Sequence, residues 1–238
     1  MMMSADAGSP SRGATIAVDS LGEAWIEVAR AIFANGAVSE YDGLPITEIE
    51  RVTLDIARPA PLDPLIERFA DPDRLAWMRA NFTDPARVAE LGNARSYASR
   101  LFDYQGEGRD QIEWVVSRLL DDPLSRSAAI TTFEPLIDTS YIPCVSMLDF
   151  WRRESGLELI VYAHSIDFGS KGYGNLIELA ELQQTVAQRL GLGVGPLVMI
   201  VKSAHIYDTE VEFMSGVLLG HDNETGVGAR DTAPESGV

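Results

Sequence analysis

The chain's single cysteine, Cys144, stands in the segment YIPCVSMLDFWRR, and two segments rich in chemically useful side chains follow it. AHSIDFGSKGYGN carries His164, Ser165 and Asp167 and ends at Asn175, and SAHIY carries His205 and Tyr207. A thiol nucleophile, a side-chain amide and an imidazole on separate elements are the parts needed to attack a heterocyclic ring and to read its edge. Each residue alone has a plainer reading. Cysteine is among the most buried residue types, so the thiol also reads as inert core. His164 and His205 read as hydrogen-bonded core histidines, Tyr207 as a half-buried aromatic, and Asn175 as the cap of a helix that begins there.

The elements that must position these residues are legible from periodicity. Ser20 with Glu23 forms a capping box for a first helix, in which Trp25, Val28, Ala29 and Ile32 share one face. RVTLDIA alternates as a strand. A helical middle section contains RLAWMRANF and DQIEWVVSRLLDD; in the latter Ile112, Val115, Val116 and Leu119 form one stripe ahead of Pro123. Trp77, Trp114 and Trp151 are expected in the core, and Asp121-Asp122 as a solvated helix end. AAITTF, PCVSMLDFWRR and LELIVYAHSID read as strands, with RRESGLE as a hairpin connection. NLIELAELQQTVAQRLGLG is a helix closed by Gly191, and GPLVMIVKSAHIY is a strand. Mixed strands and helices with a hairpin predict an α+β single domain.

Composition narrows the function classes. The chain has 238 residues, 46% hydrophobic and 23% charged, enough for one domain with a sizeable core. One cysteine makes no intramolecular disulfide, which suits a reducing, cytoplasmic setting. No apolar run reaches the roughly 18 residues of a membrane span, and the N-terminus lacks the apolar core of a signal peptide. A formal charge of −17 argues against a nucleic-acid partner. With three histidines and one cysteine there is no metal-ligand cluster, and neither familiar Gly-rich phosphate loop occurs. Residues 1–14 read as a disordered lead, 15–221 as the folded domain and 222–238 as a disordered polar tail.

Taken together, SYASRLFDYQGEGRDQIEWVV, DDPLSRSAAITTFEPLIDTSYIPCVSM and SAHIYDTE resemble thymidylate synthase and the pyrimidine nucleotide hydroxymethylases, most closely the short, archaeal-type branch. The Pro-Cys step, the Ser-x-Asp, an Asn eight residues beyond that Asp and the His-x-Tyr carry the resemblance. It implies one large mixed β-sheet with packed helices. It also implies a homodimer whose subunits exchange phosphate-binding arginines, with a pyrimidine nucleotide or nucleoside as substrate. By the same resemblance Cys144 adds to C6 of the ring, and Arg126 lowers the pKa of its thiol and could serve the neighbouring site. Asn175 reads the N3–H and O4 edge of a uracil-like base, and Asp167 orders the loop. His205 and Tyr207 reach the sugar hydroxyls, and Ser165 contacts a phosphate. The one-carbon donor is 5,10-methylenetetrahydrofolate; no residues are assigned to it.

The sequence also departs from that pattern. His164 and Ser127 stand where the family has phosphate-clamping arginines, and an imidazole or a hydroxyl does not replace a bidentate guanidinium. Lys171 and Arg152 are the candidate substitutes. Val145 follows the nucleophile where a histidine is usual, RLAWMRANF offers no catalytic glutamate, and the C-terminal segment that closes over folate looks absent. Two readings follow. In one, the chain transfers a one-carbon unit to C5 of a pyrimidine, hydroxymethylation being favoured over methylation, as in nucleoside-antibiotic pathways. In the other, the scaffold runs other Cys-dependent chemistry or binds a non-standard, non-phosphorylated ligand.

Overall fold

The computed structural model describes residues 13–41, 43–139 and 141–226. Nearly all of the expected lead and most of the expected tail lie outside these residues. The N-terminal part runs β1 (Thr15–Val18), α1 (Leu21–Asn35), β2 (Ala37–Tyr41), β3 (Leu44–Ile56), α2 (Pro64–Phe69) and α3 (Pro72–Thr83). A small hairpin follows, β4 (Arg87–Val88) with β5 (Ala94–Arg95), then α4 (Tyr97–Phe102) and α5 (Gln111–Asp121). The second half holds β6 (Ala129–Thr131), β7 (Val145–Arg153), β8 (Gly156–Ala163), β9 (Ile166–Asp167), α6 (Gly172–Leu190), β10 (Val194–Tyr207) and α7 (Val211–Thr225).

Eight strands form one sheet in the order β1-β3-β10-β8-β7-β6, with β2 added to β3 and β9 to β10. Its spine is β10, antiparallel to β3 and parallel to β8 and β9, while β7 and β8 form the expected hairpin. The sheet is therefore mixed and the architecture α+β, as the sequence predicts. Helices α1 and α6 cover one face. The Ser20–Glu23 capping box is present, and Trp25, Val28, Ala29 and Ile32 are all fully buried beneath it. The amphipathic stripe of α5 is buried as its spacing requires. Gly191 ends α6 in the left-handed conformation, at φ 66°, where a Cβ would be strained.

Trp25 also ties the core to the later part of the chain. Its indole N–H donates to the Phe168 carbonyl at 2.9 Å, and its ring lies 4.7 Å from that of Tyr173. Helix α1 thereby fixes the segment between β9 and α6, which carries several of the residues singled out above.

Two expectations are corrected here. The chain does not become a polar tail at Asp222. Helix α7 continues to Thr225, held by Arg30, which pairs with Asp222, and by Arg68, which pairs with Glu224. Its apolar periodicity is weak, so these ion pairs, visible only in three dimensions, mark its register. The tryptophans also differ from expectation. Trp114 is 47% exposed on the outer side of α5, and Trp77 and Trp151 are half-buried. Among the described residues no helix is long and apolar enough to cross a membrane.

Candidate active site

Cys144 lies at the mouth of β7, at the end of a loop that begins near Glu134. Two side chains of the short helix α4 hold this loop at both ends. The Tyr97 hydroxyl accepts from the Val145 amide at 3.0 Å. Arg100, only 1% exposed, donates both terminal nitrogens to the Asp138 carboxylate at 2.8 Å and one of them also to the Thr132 carbonyl at 2.7 Å. Asp138 in turn accepts from the Glu134 amide at 2.7 Å, and the Thr132 hydroxyl donates to the Val145 carbonyl. The Cys144 carbonyl accepts from the His164 amide at 3.0 Å, joining the thiol's segment to the end of β8.

From there the chain turns through Asp167. One carboxylate oxygen accepts from the amides of Gly169 (2.9 Å) and Ser170 (3.2 Å), and the other accepts from the Ser170 hydroxyl. This turn delivers Asn175 into the first turn of α6. Asn175 is not the cap of that helix, since the cap position is Lys171, so the plainer reading of this residue fails. Its amide nitrogen donates to the Lys171 carbonyl at 3.1 Å, while its Oδ1 is buried with no partner. On β10, His205 and Tyr207 share a face, with ring centroids 5.1 Å apart at 88°. His205 Nδ1 is 3.3 Å from the Ser165 hydroxyl, and its Nε2 is buried and unpartnered.

Cys144, His164, Ser165, Asp167, Asn175, His205 and Tyr207 all open into one cavity of about 560 Å³. Burial lowers the His205 pKa against the opposing pull of Asp167 and Glu48, and burial with the charge of Lys202 lowers that of His164. Both imidazoles are therefore uncharged at neutral pH. Tyr97 and Tyr141, which sequence reasoning missed, line the same cavity. Burial first, and then the nearby charge of Cys144, push both phenols up, so each keeps its proton. Tyr141 could have been noticed as the aromatic three residues before the cysteine; Tyr97 lies too far away in the sequence.

Arg126 is the residue the structure does not bring in. It lies with Arg152 and Arg153 around Trp151, its guanidinium 5.7 Å from the indole centroid. The reason is strand geometry. Ala129 pairs with Asp149 and the Ala128 carbonyl binds Phe150, which places Arg126 at the far end of β7. At about 3.3 Å per residue that end is roughly 25 to 30 Å from Cys144. Within one chain Arg126 does not act on the thiol. Of the two candidate substitutes, Arg152 stays with Arg126, whereas Lys171 lines the cavity.

A second cavity of about 410 Å³ adjoins the first at Tyr41, His164 and Ser165. Among its described residues, Glu40, Glu48 and Glu50 face Arg51 and Lys202, so carboxylates outnumber cations. Among the described residues no group of His, Cys, Asp and Glu could hold a metal ion.

Comparison with known proteins agrees with this geometry. The family model for thymidylate synthase matches residues 66–224. A protein of Methanosarcina mazei named "Putative thymidylate synthase" is 28% identical over 216 residues, covering 87% of this chain and 96% of the relative. A protein of the same name from Methanopyrus kandleri is 30% identical over 197 residues, covering 79% and 90%. A bifunctional dihydrofolate reductase-thymidylate synthase of Paramecium tetraurelia is 30% identical over 112 residues, 46% of this chain and 24% of that protein. The matched span contains every described residue of the cavity wall except Tyr41, and the chain belongs to the thymidylate synthase family, in its short, archaeal-type branch.

Proposed function

We propose that this protein is a one-carbon transferase acting at C5 of a uracil-type nucleoside or nucleotide, with Cys144 as the nucleophile. The observation that carries the reading is one cavity in which Cys144 faces two buried, unsatisfied groups, Asn175 Oδ1 and His205 Nε2. Buried polar atoms left unpaired in a native fold call for a partner, and a pyrimidine with its sugar supplies one to each. Asn175 Oδ1 accepts from N3–H of the base. His205 and Tyr207 bind the sugar, and the Asp167 turn holds Asn175 in place. Tyr97 and Tyr141 remain neutral donors beside the sulfur.

Trp77 and Leu91 line the same cavity, and we read them as the apolar surface that would take a folate ring. Methylenetetrahydrofolate bound there would supply the one-carbon unit. Among the described residues none beyond Tyr207 lines the cavity, because α7 packs back toward α1. No described residue after Tyr207 closes the cavity to water, and on that ground we favour a hydroxymethyl over a methyl product.

We read the protein as a homodimer joined through the face of the sheet opposite α1 and α6. Ile200, Tyr162 and Met147 stand in register across that face, and Ile200 and Met147 are each 42% exposed. In such a dimer Arg126 is available to the neighbouring subunit's cavity.

The amide at position 175 tests the base. Asn175→Asp puts a carboxylate at the 3,4-edge of the base, so it is expected to repel the O4 acceptor of uridine and attract the amino donor of cytidine. Calorimetric titration of both nucleosides against both proteins reads the switch. Unchanged preference in the variant would remove Asn175 from base recognition.

The sugar end tests the substrate's charge. Excess carboxylates beside a neutral His164 favour an unphosphorylated ligand, the feature on which the second reading rests. Uridine should bind at least as tightly as its 5′-monophosphate at about pH 8, with the difference narrowing as an imidazole gains charge. Because the His164 pKa is lowered, that narrowing starts below the ordinary histidine value of about 6.5 rather than at it. Tight, pH-independent monophosphate binding would show that other cations complete the site, with Arg126 of a second subunit the first to replace.

A further inference from the structure

Among the described residues lining the Cys144 cavity, Lys171 brings the only ammonium or guanidinium group. Its amine lies 5.7 Å from the Trp77 ring centroid, and its carbonyl receives the amide nitrogen of Asn175. A carbonyl only accepts, so the Asn175 nitrogen must face it and the oxygen must face the cavity. That oxygen belongs to a residue 3% exposed and has no partner, so the cavity is built for a ligand on this side. Lys171, the cap residue of the helix that carries Asn175, lines the same cavity.

Addition of a thiolate to a uracil-type ring forms the S–C6 bond and breaks the C5=C6 π bond. The electron pair moves through C4 onto O4, giving an enolate. A negative charge thus appears on an oxygen that carried none before the reaction. The other charged side chains of the wall, Glu90 and Asp167, have the wrong sign to meet it. His164 and His205 are uncharged at neutral pH, because burial lowers both.

We propose that Lys171 is a catalytic residue whose ammonium receives the oxyanion formed on the ring when Cys144 adds. The assignment rests on the reading of the cavity as a site of sulfur addition to a pyrimidine, and it does not depend on which one-carbon donor binds.

The test is exchange of the C5 proton in D₂O, which needs no donor. Sulfur adds at C6, C5 takes a deuteron from solvent, the original C5 proton leaves, and sulfur is expelled to restore the ring. NMR of uridine, deoxyuridine and their 5′-monophosphates with the full chain reads the rate, and calorimetry reads the Kd. Lys171→Met is expected to slow exchange about 100- to 1,000-fold, the scale of losing one oxyanion donor. Its Kd should change by less than about threefold, since the lost contact belongs to the transition state. Lys171→Arg, which keeps the charge, should recover part of the rate. Exchange in Lys171→Met within about threefold of wild type, or a loss of affinity as large as the loss of rate, overturns the proposal and leaves the cavity reading standing. A wild-type protein that exchanges none of the four compounds overturns the reading of the cavity, and the proposal with it.

Discussion

Cys144→Ser is expected to lower turnover by at least about four orders of magnitude, the scale of removing a covalent nucleophile. The fold and ligand affinity should survive, because the swap replaces a sulfur with an oxygen at a half-buried position that packs against the core without belonging to it. The Tyr97–Val145 and Cys144–His164 hydrogen bonds that shape the segment use the backbone, so they persist in the variant. Mass spectrometry with a 5-fluoropyrimidine nucleotide and methylenetetrahydrofolate should find a covalent adduct on the wild-type chain and none on the variant. With one cysteine in the sequence, the site of that adduct is unambiguous. Full activity in the serine variant would return the thiol to its plainer role as a core residue.

The second large effect is expected at the Arg100–Asp138 pair, whose side chains are 2% and 7% exposed. Arg100→Met removes the only guanidinium bound to Asp138 among the described residues and leaves Glu134, 1% exposed, with Arg95 at 3.4 Å as its remaining cation there. Breaking a buried pair on one side costs about 3–5 kcal/mol, because the surviving charge is left uncompensated. Asp138→Asn should cost less, since the amide oxygen still accepts from Arg100 or from the Glu134 amide. Urea unfolding of the three proteins measures both losses, provided the slope m is unchanged. A loss below about 1 kcal/mol in Arg100→Met would mean that water or a shifted Arg95 compensates the pair, against expectation for a buried site. Because the pair holds the loop that ends at Cys144, iodoacetamide alkylation of the thiol should also change rate in Asp138→Asn.

Much of the scaffold is written locally. The capping box at Ser20, the stripe of α5, the left-handed glycine after α6 and the β7–β8 turn each depend on residues a few positions apart. Their spacing therefore determines them before any packing occurs. The same holds for His205 and Tyr207, which share a face because a strand alternates every two residues. Helix α7 was not legible, because its apolar residues do not fall into one strong stripe and its anchors, Arg30 and Arg68, lie in distant elements.

The nucleophile and its companions could be named from residue types and order, but their convergence on one cavity is a property of the sheet. The parallel pairing of β9 with β10 sets Asp167 beside His205, and the turn after Asp167 then places Asn175. Tertiary structure alone decided which positive charge lines that cavity. In the sequence Arg126 reads as the cation beside the thiol, and Lys171 only as one of two candidate substitutes in the phosphate site. The length of β7 carries Arg126 to the far end of the sheet, and the Asp167 turn places Lys171 against Trp77 inside the cavity. Charge acts through distance in space, and a strand of nine residues is long enough to separate what the sequence sets close together.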